Sequence, residues 1–211
     1  MTVIKPRGLL AKAQNILESV HVLRLLEREN RQLTSEERHI LLGFAGWGCV
    51  ALHAFPDPAT GTYWTKTWQA IGEQLQALLA PQEYVSAKKS TFSAFYTSPA
   101  VMHALYAALA RLGMPSDALI LEPGCGIGNF MALAHESIRF IGIEQDHISG
   151  RIAKALYPQH DIRLQPFEQS MLPDNSLQAV LGNPPFAEVK MPYWNGHLSL
   201  HEYFLARSID I

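Results

Sequence analysis

The chain predicts an α/β protein, a doubly wound parallel sheet preceded by a helical region. Three observations predict it. From Ala118 onward, short apolar runs at 118–122, 139–144, 161–165 and 177–182 alternate with helix-like stretches near 128–136 and at 147–156. The first of those runs ends in a glycine-rich turn, Pro123-Gly-Cys-Gly-Ile-Gly128, the junction expected between a buried strand and a following helix. Ahead of Ala118, apolar residues recur at helical spacing and strand-like alternation is absent.

The elements follow in order. Leu9, Ala13, Ile16, Val20, Leu23 and Leu26 form a helical stripe over about Leu9 to Arg28. Thr34-Ser-Glu-Glu37 is a capping box that opens a second helix through Leu42. Gly43-Phe-Ala-Gly-Trp-Gly48 breaks that helix, and the spacing predicts a tight corner with Trp47 plugged into a core. His53 to Thr62 reads as a loop. A helix is expected from about Trp64 to Leu79, burying Trp64, Trp68, Ile71, Leu75 and Leu78 and stopped by Pro81. Ser98, with Pro99 behind it, caps a helix that carries Met102, Leu105, Leu109 and Leu112 and stops at Gly113. Asp146 caps the helix at 147–156. The division expected is an N-terminal helical region over residues 1–90 and a sheet-bearing core over 91–211.

Composition narrows the function. The 211 residues are 48% hydrophobic and 17% charged, ordinary for a globular protein, and no apolar run reaches the length of a membrane span. Only Cys49 and Cys125 are present, so no disulfide framework is implied and the cytoplasm is the expected compartment. A net charge of −2 argues against a chain that grips duplex DNA unaided.

The glycine turn has a definite chemistry. Loop amides and the N-terminus of the following helix are aimed outward, where they can cradle an anionic group. The run G-C-G-I-G is not the dinucleotide fingerprint G-x-G-x-x-G, and no Lys-Ser or Lys-Thr follows to make a nucleoside triphosphate loop. Glu144 ends the second strand about twenty residues on, where a carboxylate can accept ribose hydroxyls. The fourth strand delivers Asn183-Pro-Pro-Phe186 at its carboxyl end. Ligands of open α/β sheets bind there, and the first and fourth strands adjoin in the usual topology. Two prolines stiffen the backbone, so the Asn183 side chain and the Pro184 carbonyl become a rigid pair of acceptors suited to a planar –NH₂ group.

These residues resemble the S-adenosylmethionine-dependent amino-group methyltransferases, most closely the N6-adenine DNA methyltransferases. The resemblance is carried by Phe95-Tyr-Thr-Ser98, Glu122-Pro-Gly-Cys-Gly-Ile-Gly-Asn-Phe130, Gly142-Ile-Glu144, Phe167-Glu168 and Asn183-Pro-Pro-Phe186, in that order. Arg31-Gln-Leu-Thr-Ser-Glu-Glu37, Gly46-Trp-Gly48, Arg151 to Pro158 and His201-Glu-Tyr-Phe204 are similar to the methylase region of plasmid- and phage-associated proteins that join a methyltransferase to a helicase. The resemblance implies a Rossmann-like methyltransferase sheet with S-adenosylmethionine as cofactor. It implies a cofactor-binding set of Tyr96, Thr97, Glu122, Gly124, Cys125, Gly126, Asn129, Phe130, Glu144, Gln145, Phe167 and Glu168. Within that set, the backbone of Gly124, Cys125 and Gly126 would hold the methionine part, Glu144 the ribose, and Phe167 would pack on the cofactor adenine. Asn183, Pro184, Pro185 and Phe186 would form the catalytic loop, with Phe186 stacked on an extruded base.

The chain departs from that pattern in places. Pro166 stands where many relatives carry an acid, leaving Glu168 as the substitute contact to the cofactor's amino group. Cys125 replaces a small residue and reads as packed, with no histidine tied to it by spacing. His197 and His201 are spaced as on one helix face, but no third ligand is nearby, so no metal is expected. The fold implied by the resemblance needs further strands after Asn183-Pro-Pro-Phe186, whereas the chain ends at Ile211 inside an amphipathic pattern. The expectation is a C-terminally truncated sheet whose fourth strand is an edge beside uncovered apolar surface, covered by another chain or a second copy. DNA would be the partner through missing domains. Methylation of RNA or of a protein glutamine amide, and a non-catalytic cofactor-binding remnant, are the competing readings.

Overall fold

The computed structural model describes residues 8–89, 97–173, 175–185 and 188–211. Six helices come first: α1 (Leu9–Glu29), α2 (Ser35–Leu42), α3 (Ala51–Ala54), α4 (Lys66–Leu78), α5 (Pro81–Lys89) and α6 (Pro99–Arg111). Then follow β1 (Leu119–Pro123), β2 (Arg139–Glu144), α7 (His147–Leu156), β3 (Asp161–Leu164) and β4 (Ala179–Val180). A hairpin of β5 (Lys190–Tyr193) and β6 (Gly196–Ser199) leads into α8 (Leu200–Asp210).

The four strands β1 to β4 form one parallel sheet in the order β3-β2-β1-β4, with helices on both faces, as the alternating pattern predicts. β4 is shorter than expected, but its backbone pairing extends beyond its bounds. The Gln178 amide donates to the Leu119 carbonyl at 3.1 Å and the Leu181 amide to the Leu121 carbonyl at 2.9 Å. Strand alternation sorts the side chains. Ile120, Phe140 and Ile162 point into a large core built with α1, α2, α4 and α7, where Ile16, Leu23, Phe44, Trp47 and Leu75 are buried. Leu121, Ile141 and Ile143 face the other way, onto Phe167, Leu172 and the α8 residues Tyr203 and Phe204. The helical region and the sheet thus share one apolar core.

The N-terminal helices also hold polar points of the sheet's own helix. The capping box at Thr34 has both halves formed, with the Glu37 amide donating to Thr34 Oγ1 at 3.2 Å and the Thr34 amide to Glu37 Oε2 at 2.9 Å. Arg38 Nη1 donates to the Leu156 carbonyl at the end of α7 at 2.7 Å. Trp47, in the predicted corner, donates its indole N–H to Asp146 Oδ2 at the start of α7 at 3.0 Å. Asp146 caps α7 by accepting from the Ser149 amide at 3.0 Å. Glu83 on α5 takes guanidinium bonds from Arg24 on α1 and Arg151 on α7, and Arg151 also pairs with Glu27.

Several expectations are corrected. The stretch near 128–136 makes only a single 3₁₀ turn at Met131–Leu133, because Phe130 and Met131 drop into the core and β2 starts at Arg139. Trp64 precedes the cap of α4, which is Thr65, and is 74% exposed, with its ring 5.4 Å from that of His53. Pro81 does not stop a helix. α4 ends at Leu78, and Pro81 is the first residue of α5, where its missing N–H costs nothing. Leu112 is 83% exposed, since α6 ends at Arg111 and Gly113 turns the chain away. His197 lies in β6 and His201 in α8, so they do not share a helix face. The apolar face expected to be uncovered carries α8, with Tyr203, Phe204 and Ile211 buried against it.

Candidate functional site

β1 and β2 run side by side in parallel and bring Glu122, next to last in β1, and Glu144, last in β2, to the same end of the sheet. Beyond β1 the chain turns at Gly124, whose φ of +74° is a conformation that a side chain resists. The turn is fastened to β2: the Gly124 and Cys125 amides both donate to the Ile143 carbonyl, at 2.7 and 3.0 Å. Gly142 lets side chains of the loop come close to β2. A Cβ there would stand 2.8 Å from Met131 Cε and 2.9 Å from Cys125 Sγ, so the loop packs directly on the strand backbone. Cys125 is 3% exposed, and burial, with the charges of Glu122 and Glu144 behind it, pushes its thiol well above the ordinary value. It is a packing residue, not a nucleophile.

Glu144 reaches back into this turn. The Gly126 amide donates to Glu144 Oε2 and the Asp146 amide to Glu144 Oε1, each at 2.7 Å. A carboxylate oxygen accepts more than one bond, so both keep capacity for a hydroxyl donor. Burial, followed by the charge of Asp146, raises the Glu144 carboxyl to about 7. Glu122 is 3% exposed, and its Oε2 is buried with no hydrogen-bond partner among the described residues. Burial, with Glu144 adding to it, raises the Glu122 carboxyl well above the ordinary value. Two desolvated carboxylates at one corner need a cation or protons.

The Asn183-Pro-Pro segment leaves β4 along β1. A Cβ at Gly182 would lie 3.4 Å from the Pro123 carbonyl oxygen and 3.9 Å from Glu122 Cγ. The acceptor-bearing segment and the Gly124 turn therefore stand next to each other on one side of the sheet. Asn183, Pro184 and Pro185 are half-buried.

The other predicted residues are placed as follows. Thr97 is half-buried just before the Ser98 cap of α6. Asn129 is half-buried and Phe130 buried at the end of the turn, with the Phe130 carbonyl accepting from the Tyr106 hydroxyl at 2.8 Å. Gln145 is exposed beyond β2 and Glu168 beyond β3. Phe167 is 3% exposed, its ring 4.9 Å from Phe204 and 6.2 Å from Tyr203, and a Cβ at Gly124 would lie 3.9 Å from Phe204 Cε1. Tyr96 and Phe186 lie outside the described residues. Gln145 opens onto a cleft of about 600 Å³ that sequence reasoning missed. Its near wall is Gln165, Pro166 and Gln169 beyond β3; its far wall is Gln82, Val85 and Ser86 of α5. The signal that could have found that wall is Pro81 at the first helical position with Glu83 two residues on, a helix start read as a helix stop.

No protein-family model matches the chain. It is similar to the Defense against restriction protein B of Escherichia phage P1, 31% identical over an alignment of 98 residues that covers 43% of this chain. The chain spans 4% of the length of that curated relative. Among solved structures, a putative class I S-adenosylmethionine-dependent methyltransferase from Listeria monocytogenes aligns with a TM-score of 0.43 at 12% identity, over 93% of this chain and 69% of that one. The methyltransferase subunit of a type I restriction-modification system from Streptococcus thermophilus aligns with a TM-score of 0.43 at 16% identity, over 89% of this chain and 47% of that one.

Proposed function

We propose that this chain is the cofactor-binding and catalytic part of an S-adenosylmethionine-dependent methyltransferase acting on the N6 amino group of adenine in DNA. The observation that carries this is the juxtaposition of the Gly124 turn and the Asn183-Pro-Pro segment at the carboxyl edge of adjacent parallel strands. The residues present fit the cofactor. Its methionine part bears an ammonium, which suits Glu122 Oε2, buried and without a partner among the described residues. Its ribose hydroxyls suit the remaining lone pairs of Glu144. When bound, the cofactor supplies an electrophilic methyl on a sulfonium.

The protein's own task is then modest. An aromatic amine is a weak nucleophile because its lone pair is delocalised into the ring. Asn183 Oδ1 and the Pro184 carbonyl, accepting its two N–H bonds, favour a pyramidal nitrogen and aim the lone pair. Pro184 and Pro185 keep those acceptors from relaxing, so the orientation is present before the substrate arrives. No metal and no strong general base are required. The match to a phage protein named for defence against restriction supports a setting in which DNA methylation matters.

A non-catalytic remnant is favoured by one observation, the packing of Phe167 beneath Phe204 and Tyr203, where its ring is not presented to a ligand. Incubation with methyl-labelled cofactor and DNA, RNA or a protein extract separates the possibilities. Label in N6-methyladenine of DNA is expected, falling at least ~100-fold in Asn183→Ala. Label in RNA or in glutamine would replace the substrate, and cofactor binding without any transfer would leave the remnant.

A further inference from the structure

Gly46-Trp-Gly48 has no part in the chemistry above, yet the corner it forms reaches the cofactor site through hydrogen bonds. Trp47 is 1% exposed and packs its ring against Phe44 and Phe55, with centroids at 5.6 and 6.3 Å. Packing alone would be served by any aromatic ring. The indole N–H does something more: it donates to Asp146 Oδ2 at 3.0 Å, across the interface between the N-terminal helices and the sheet. The same oxygen accepts from the Ser149 amide at 3.0 Å and from Ser149 Oγ at 2.6 Å, while Oδ1 accepts from Ser86 Oγ on α5 at 3.4 Å. Asp146 is 4% exposed, so its side chain is held from several directions in a dry place. Its backbone N–H is therefore fixed as well, and that N–H holds Glu144 Oε1 at 2.7 Å while Gly126 holds the other oxygen.

We propose that Trp47 is a positioning residue for the ribose contact: its indole N–H fixes Asp146, and Asp146 fixes the carboxylate of Glu144 against the glycine turn. This rests on the cofactor site proposed above. It assigns to the N-terminal helical region a direct share in cofactor affinity. The chain Trp47–Asp146–Glu144–Gly126 is continuous, and each of its links is 3.0 Å or shorter.

The test is calorimetric titration with two ligands, S-adenosylhomocysteine and its analogue lacking both ribose hydroxyls, on the full chain. Trp47→Phe keeps an aromatic ring in the core and removes the donor together with part of the ring volume, a packing loss that both ligands would feel equally. Affinity for S-adenosylhomocysteine is expected to fall about tenfold, and affinity for the analogue less than about twofold. Unchanged affinity for both ligands overturns the proposal, and so does an equal loss for both, which is the signature of a merely structural residue. If Trp47→Phe does not fold, Ser149→Ala removes a different donor from the same Asp146 oxygen, and a smaller loss with the same hydroxyl dependence is expected. Equal loss or none for Ser149→Ala is likewise fatal. A wild-type chain that binds neither ligand removes the cofactor site itself, an outcome separate from a wild-type chain that binds both while the variants show no selectivity.

Discussion

Glu122 and Glu144 occupy one desolvated corner, and their burial sets a pH dependence. Both carboxyls are raised in the folded chain, so the folded state holds protons that the unfolded state has released. Stability therefore falls as pH rises from about 4.5, the ordinary value, through about 7, the value at Glu144. The shift at Glu144 corresponds to about 3 kcal/mol. In thermal melts without ligand, Tm is expected to fall across that window. Glu122→Gln is expected to raise Tm at pH 7.5 and to flatten the slope, and a lower Tm would mean that the carboxylate is ionised and matched by a charge. At this scale the sequence was informative where chemistry is local. Asp146 as a helix cap and Cys125 as a packed residue followed from neighbours in the chain. The covering of Phe167 by Tyr203 and Phe204 did not, since nothing near Phe167 announces a helix arriving from residues 200–210.

Among the elements, α5 depends most on a single side chain. Glu83 is 8% exposed, accepts the Ala80 amide at 2.7 Å, and joins Arg24 and Arg151 from two other helices. Burial would raise its carboxyl, but the Ala80 amide and the guanidiniums outweigh that and hold it below the ordinary value. Glu83→Gln should cost about 2 kcal/mol in urea unfolding, less than a dry ion pair would, because Arg24 is about a third exposed. The same variant should quicken proteolysis within α5, since the wall of the cleft then loses its charged ties to Arg24 on α1 and Arg151 on α7. A stability equal to wild type would show the knot to be solvated and neutral. β2 and α7 were legible at their full extent because an apolar run bounded by Arg139 and Glu144 marks the strand and the Asp146 cap with helical spacing marks the helix. α5 was not, since the proline that starts it also reads as the stop of the helix before it, and the turn at Met131–Leu133 was not, since three residues carry no period.

At the scale of the molecule, one core runs from α1 to β4, so Ile16 and Ile120 belong to the same cluster. Calorimetry of the full chain should therefore give one unfolding transition, with the helical region and the sheet melting together. Two transitions would mean that the shared core is too weak to couple them. A helical region packed beside the sheet was expected from the sequence, but the bonds that join them were not, because Arg38 to Leu156 and Trp47 to Asp146 are contacts between residues far apart in the chain. Those two bonds have a geometric corollary. They grip α7 at its two ends, Asp146 and Leu156, from the single short stretch between Arg38 and Trp47. That stretch works as a calliper: inserting or deleting one residue in α7 would swing its faces by about 100° and shift one jaw by about 1.5 Å. The length of α7 is thereby fixed by the two bonds that hold its ends.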